Sequence, residues 1–172
     1  DVCSSDLPEY KAMNPNALVP TIDHDGFILW ESHAIVRYLA GLRGPSVLLP
    51  ADVRTAADAD RWMDWYATTL WNNLRPVFWA LVRTPPEKRD MVMVENHRKA
   101  MAANFEIVDR QLADRPYLAG AAFSMADIPM GVAAFRWYNM DIERPAYKNL
   151  DAWYARLCER PAYQEHCMLP MT

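Results

Sequence analysis

Glycine is scarce in this chain, with five residues in 172, and cysteine is scarcer, with three. So little glycine disfavours a turn-rich all-β architecture or a low-complexity chain. The cysteines, Cys3, Cys158 and Cys167, are odd in number and show no C-x-x-C spacing, which argues against a disulfide framework or a zinc site. No apolar run reaches membrane-spanning length, and no signal peptide opens the chain, so a membrane partner is not expected. There is no basic stripe, acids and bases are interspersed and the net charge is −4, which disfavours nucleic acid. His24, His33, His97 and His166 lie far apart and form no metal-ligand pattern. These absences predict a cytoplasmic protein with reduced thiols and no metal.

Tryptophan and methionine are plentiful instead, at seven and ten, and the chain is 52% hydrophobic. That suits a packed helical protein with a sizeable core. The first local signal is Val19–Ile22 and Phe27–Trp30 flanking Asp25-Gly26, which reads as a β-hairpin. Ser32 follows as a candidate N-cap. Ile35, Tyr38, Leu39 and Leu42 then mark one helical face, with Gly41 and Gly44-Pro45 stopping it. Residues 44–53 read as a linker. Arg54–Arg83 is a long helical stretch that Pro76 should kink or break. Thr84-Pro85-Pro86-Glu87 reads as the start of a helix reaching about Asp114. Ser124 and Asp127 form the acidic variant of a capping box, with Phe123 and Ile128 as its hydrophobic staple, so a structural role is assigned to Asp127 rather than a catalytic one. Leu150, Trp153, Tyr154 and Leu157 give a last amphipathic face before Arg160-Pro161, and a short helix over 162–167 closes the chain.

Two dipeptides carry the chemistry. Val19-Pro20 sits at a strand entry, where a cis bond would leave the Val19 main chain open to pair with an extended peptide ligand. Glu31-Ser32 sits at a helix start, where first-turn N–H groups attract a carboxylate and the Glu31 carboxylate can hold an ammonium. A ligand with a peptide backbone, a carboxylate and an ammonium fits both halves. Spacing alone favours the plainer reading of a trans edge proline, a solvated Glu31 and a Ser32 that only caps.

The run Asn14-Pro15-Asn16-Ala17-Leu18-Val19-Pro20, followed by Asp25-Gly26, Glu31-Ser32 and Ala34-Ile35-Val36-Arg37-Tyr38-Leu39, closely resembles the signature of bacterial, theta-like glutathione transferases. Phe123-Ser124-Met125-Ala126-Asp127-Ile128-Pro129 resembles the family's second conserved segment. The resemblance implies a thioredoxin-like α/β N-terminal domain followed by an all-α helical bundle. On that scheme residues 1–43 are a partial glutathione-binding domain (hairpin plus helix), 44–53 a linker and 54–172 the helical domain. It implies a cis Pro20, a Val19 backbone pairing with the cysteinyl part of glutathione, and a γ-glutamyl group held by Glu31 and Ser32. Relatives often place lysine or glutamine where Leu18 stands. The family's opening strand, helix and strand, with the catalytic Ser, Cys or Tyr, have no counterpart ahead of Pro8. Residues 1–7 look foreign to the family, so a truncated start is expected and the catalytic residue is unassigned.

The activity implied is conjugation of glutathione, as co-substrate, to small apolar electrophiles in detoxification by a homodimer. Trp62, Trp65, Tyr66 and Thr69 are candidates to line the electrophile pocket, although an aromatic stripe of this kind more often serves a core or a dimer interface. A same-scaffold isomerase or dehalogenase, or a non-catalytic interaction or stress module, is the alternative.

Overall fold

A computed structural model of the chain describes residues 7–42 and 44–171. The chain divides into two compact units, one ending at Leu49 and one beginning at Pro50.

The first unit contains a short helix, α1 (Pro8–Met13). Pro8 at its first position and Glu9 in its first turn are ordinary start signals. An antiparallel hairpin follows, β1 (Thr21–His24) and β2 (Phe27–Trp30), with Thr21 opposite Trp30 and His24 opposite Phe27. It starts at Thr21 rather than Val19, so Val19-Pro20 is the entry to the strand. Asp25 and Gly26 take φ of 54° and 86°, the left-handed pair of a two-residue turn, and the Gly26 N–H donates to Asp23 Oδ1 at 2.8 Å.

Helix α2 spans Ser32–Gly41 and buries Ile35 and Ala40. Leu39 and Leu42, expected on the same face, are instead exposed. Tyr38 leans on the hairpin. Its hydroxyl lies 2.6 Å from His24 Nδ1 and its ring 5.3 Å from that of Phe27.

The second unit is helical. Asp52 caps α3 (Val53–Trp65) by accepting the Thr55 N–H at 2.8 Å. The helix passes through a π-helical turn, Tyr66–Leu70, into α4 (Trp71–Phe78), then through a second π-turn, Trp79–Arg83. Pro76 does not break it; wide turns flank the proline on both sides, a common way for a helix to absorb a missing N–H. Helix α5 is Met91–Gln111, capped by Asp90 through the Met93 N–H. It therefore starts later than a Thr84 cap would set it. A 3₁₀ turn, Pro86–Lys88, occupies the expected start, and the Thr84 hydroxyl donates back to the Trp79 carbonyl.

Helices α6 (Asp127–Asn139), α7 (Lys148–Cys158) and α8 (Pro161–His166) complete the unit. Trp137, Trp153, Phe105, Met63, Leu70 and Met101 are fully buried and form its centre. Leu150, Trp153 and Leu157 are buried together, as the α7 periodicity requires. Asp109 of α5 accepts the N–H groups of Asn149 and Leu150 at 2.7 and 2.9 Å and so satisfies the start of α7.

Asp127 is the polar hub. Its carboxylate accepts the N–H groups of Leu118 (3.1 Å) and Ser124 (2.9 Å), the Ser124 hydroxyl (3.2 Å) and the Trp153 indole N–H (2.9 Å). Burial pushes the carboxyl's pKa up and these donors pull against it. Ser124 differs from the capping-box expectation. Its hydroxyl donates to Asp127 instead of accepting a backbone N–H, and α6 begins at Asp127 itself.

No described helix is long and apolar enough to cross a membrane.

Candidate functional site

In the first unit the loop ahead of β1 is tied down by side chains. Asn14, only 2% exposed, donates through Nδ2 to the Leu18 carbonyl at 2.7 Å and to Thr21 Oγ1 at 3.1 Å, while its Oδ1 accepts the Asn16 N–H at 3.0 Å. The Tyr10 hydroxyl of α1 donates to the same Leu18 carbonyl at 2.8 Å and lies 2.8 Å from Thr21 Oγ1. These bonds fix the residues on both sides of Val19-Pro20. The Val19–Pro20 peptide bond is cis, and Val19 is 74% exposed.

The hairpin returns β2 to the same place. Glu31 leaves the strand with φ 73° and ψ 112°, a conformation costly for a residue with a Cβ, of the order of 1–3 kcal/mol. That turn sends the chain directly into α2, and the Ile35 N–H bonds to the Glu31 carbonyl at 2.9 Å. Glu31 therefore holds the cap position, and Ser32 is the first helical residue instead of the N-cap expected. The Glu31 side chain itself makes no capping hydrogen bond. The Ser32 residue is exposed, as is Glu31.

Val19, Pro20, Glu31 and Ser32, distant in sequence, line one concavity of about 90 Å³ together with Leu18, Trp30, Asn14 and Asn16. It has the size of an amino-acid head group, open to solvent above. It offers an exposed strand-entry backbone, a carboxylate, a hydroxyl and the positive end of a helix. Asn14 and Tyr10 carry no assigned role in the sequence reading, although Asn14 opens the quoted motif; only its buried bonds reveal what it does.

The aromatic candidates of the second unit divide into two groups. Trp62 and Trp65, edge to face at 5.3 Å, line an open groove of about 510 Å³ with Arg61, Ile107, Arg110 and Gln111. The buried Trp62 Nε1 has no hydrogen-bond partner among the described residues. Tyr66 and Thr69 are not among that groove's lining residues. Tyr66 opens the π-helical turn that follows α3, and Thr69 lies within it. Tyr66 is buried, its ring 6.1 Å from that of Trp71. Burial pushes the Tyr66 hydroxyl's pKa up, and the Arg136 guanidinium beside it opposes that shift.

Residues 2–42 match the family model for the glutathione S-transferase N-terminal domain, and residues 70–161 match that for the C-terminal domain. Glutathione S-transferase GstB of Escherichia coli K12 is 39% identical over 166 residues, covering 95% of this chain and 80% of the relative. A probable glutathione S-transferase of rice, GSTF2, is 28% identical over 92% of this chain and 76% of its own length. Among solved structures, the theta class enzyme of Xanthomonas axonopodis pv. citri with glutathione bound superposes with a TM-score of 0.94. It is 44% identical and covers 98% of this chain and 81% of its own. The chain belongs to the glutathione S-transferase family, and its architecture of a small N-terminal unit, a two-stranded antiparallel sheet with helices, followed by a helical C-terminal unit is that fold.

Proposed function

We propose that this protein binds glutathione in the concavity at Val19-Pro20 and Glu31-Ser32 and transfers its sulfur to small electrophiles. The convergence of these four residues, with one peptide-pairing edge and one head-group pocket, carries the proposal. The glutathione bound to the similar Xanthomonas enzyme supports it. On this reading the cysteinyl part of glutathione pairs with the Val19 main chain. The γ-glutamyl ammonium meets the Glu31 carboxylate, and its carboxylate meets the Ser32 hydroxyl and the first turn of α2. Leu18, exposed and apolar, offers the glycyl carboxylate no charge.

A free thiol has a pKa of about 8.5, so only a few per cent is thiolate at neutral pH. Transfer requires that thiolate to attack the electrophile's carbon, forming a C–S bond as the leaving group departs. The residues named here bind and orient the nucleophile; none is assigned to its activation. The second substrate is read against the α3–α4 stretch, with Trp62, Trp65, Tyr66 and Thr69 as the candidate residues. Residues 1–43 as the glutathione-binding domain, 44–53 as a linker and 54–172 as the all-helical domain are part of this reading. A homodimer working in cytoplasmic detoxification belongs to the same reading. Exposed Trp79, Met91 and Val92 support an association surface, and the free Cys158 and Cys167 suit a reducing compartment.

Calorimetric titration with glutathione tests the proposal. The chain binds, and Glu31→Ala combined with Ser32→Ala abolishes the signal while preserving the fold. Unaltered binding by the double variant removes these residues from the site. No binding by the unaltered chain favours an interaction module on the same scaffold.

A further inference from the structure

Glutathione carries two carboxylates, and the contacts proposed above provide for one of them. The γ-glutamyl carboxylate meets the Ser32 hydroxyl and the first turn of α2. The residues lining the concavity include no lysine, arginine or histidine, and Leu18 is exposed and apolar. Besides Ser32 and the Trp30 indole beside Glu31, the neutral polar side chains of that lining are Asn14 and Asn16.

Asn14 is fully engaged. Its Nδ2 donates to the Leu18 carbonyl at 2.7 Å and to Thr21 Oγ1 at 3.1 Å, which uses both of its N–H groups. Its Oδ1 is thereby turned towards Asn16, where it accepts the main-chain N–H at 3.0 Å and the side-chain Nδ2–H at 3.3 Å. Asn16 must present its amide nitrogen to that oxygen, so the orientation of the Asn16 amide is set by a buried neighbour. Asn16 itself is exposed, and its side chain makes no other hydrogen bond among the described residues. One of its two Nδ2–H groups is held by Asn14, and the second is left for an acceptor.

The hairpin register decides which end of a bound peptide Asn16 serves. Thr21 lies opposite Trp30, so Glu31 follows on the Pro20 side of Val19. Asn16 is tied through Asn14 to the Leu18 carbonyl, on the other side of Val19. A ligand paired with the Val19 main chain, its head group at Glu31-Ser32, therefore extends towards Leu18 and Asn16, each extended residue covering about 3.3 Å. Its far carboxylate comes last.

We propose that Asn16 recognises the glycyl carboxylate of glutathione, donating its second Nδ2–H to it, with Asn14 as the residue that positions the amide. This rests on the glutathione reading above and adds a specificity-determining residue to the same site. The donor is neutral, so the contact is a hydrogen bond to a charged acceptor rather than an ion pair. Its contribution depends little on ionic strength, in contrast to a lysine at the same place.

The test compares glutathione with its glycyl monoethyl ester by calorimetry on the full chain. The ester removes the charge at one end and leaves the γ-glutamyl group intact. The unaltered chain should prefer the acid. Asn16→Ala should weaken glutathione about tenfold, as loss of a hydrogen bond to a charged group implies, and leave the ester nearly unchanged, so that the preference collapses. Asn16→Asp, of the same shape, should weaken glutathione further than Asn16→Ala and the ester less. Asn16→Lys should restore the preference and make it fall with added salt. Circular dichroism of each variant separates misfolding from lost recognition. Equal loss of both ligands in Asn16→Ala overturns the proposal, because Asn16 then only supports the loop. Equal affinity of the unaltered chain for acid and ester, or unchanged glutathione affinity in Asn16→Ala, also overturns it while leaving the glutathione reading in place. Failure of the unaltered chain to bind glutathione is a distinct result, and it overturns that underlying reading as well.

Discussion

The Asn14 side-chain amide donates to the Leu18 carbonyl at 2.7 Å, one residue ahead of the cis Val19–Pro20 bond. A buried asparagine thus sets the conformation of the backbone that the proposed ligand pairs with. Asn14→Ala removes that bond together with those to Thr21 and Asn16. A loss of about 1–3 kcal/mol in stability is expected from the polar groups left unmade. Glutathione affinity should fall by about tenfold or more, read by denaturant melts and calorimetry on one preparation.

Glu31 places a charged side chain on a backbone with φ 73°. Glycine adopts such a conformation without the Cβ penalty. Glu31→Gly should therefore raise stability by about 1 kcal/mol and weaken glutathione binding at the same time. Opposite signs in the two measurements identify Glu31 as a residue kept for the ligand. Destabilisation would mean that its carboxylate supports the fold.

Asp127 joins the loop before α6 to Trp153 of α7. Asp127→Ala leaves two backbone N–H groups and an indole N–H without their acceptor, a cost of about 3–5 kcal/mol. Asp127→Asn keeps the shape and should lose less. Both losses should appear in thermal unfolding, with no change in glutathione affinity for any protein that remains folded.

Glu95 provides a pH test. Its carboxyl is held well below the usual value, at about 2, chiefly by hydrogen bonding to Arg98, which also donates to the Glu143 carbonyl at 3.1 Å. A depressed carboxyl stabilises the fold above its unfolded value near 4.5, and that contribution is lost as pH falls through about 2. Glu95→Gln should melt below the parent protein at neutral pH. The gap should close as the pH is lowered from 4.5 towards 2; a gap independent of pH would contradict the assignment.

Much of this architecture is legible from local signals. The Asp25-Gly26 turn between two β-rich runs gives the hairpin, and the spacing of Leu150, Trp153 and Leu157 gives α7 and its buried face. Two local patterns misled. Leu39 and Leu42 match a helical period yet stay exposed. Thr84-Pro85 has the form of a helix start, but Asp90 supplies the cap of α5. Within the site, the residue types were readable at Val19-Pro20 and Glu31-Ser32. The positive φ that makes Glu31 the cap residue and frees Ser32 was not, because nothing in a Glu-Ser pair encodes it. The π-turn after Trp65 is equally silent in sequence, as is the absence of Tyr66 from the lining of the groove of Trp62 and Trp65.

Amide NMR of the ¹⁵N-labelled chain, titrated with glutathione, tests the central claim most directly. The account predicts saturable shifts concentrated at Val19, Glu31, Ser32 and the first turn of α2, with α7 and α8 unmoved. Saturable shifts that leave those amides in place, or none at all at millimolar glutathione, would contradict it.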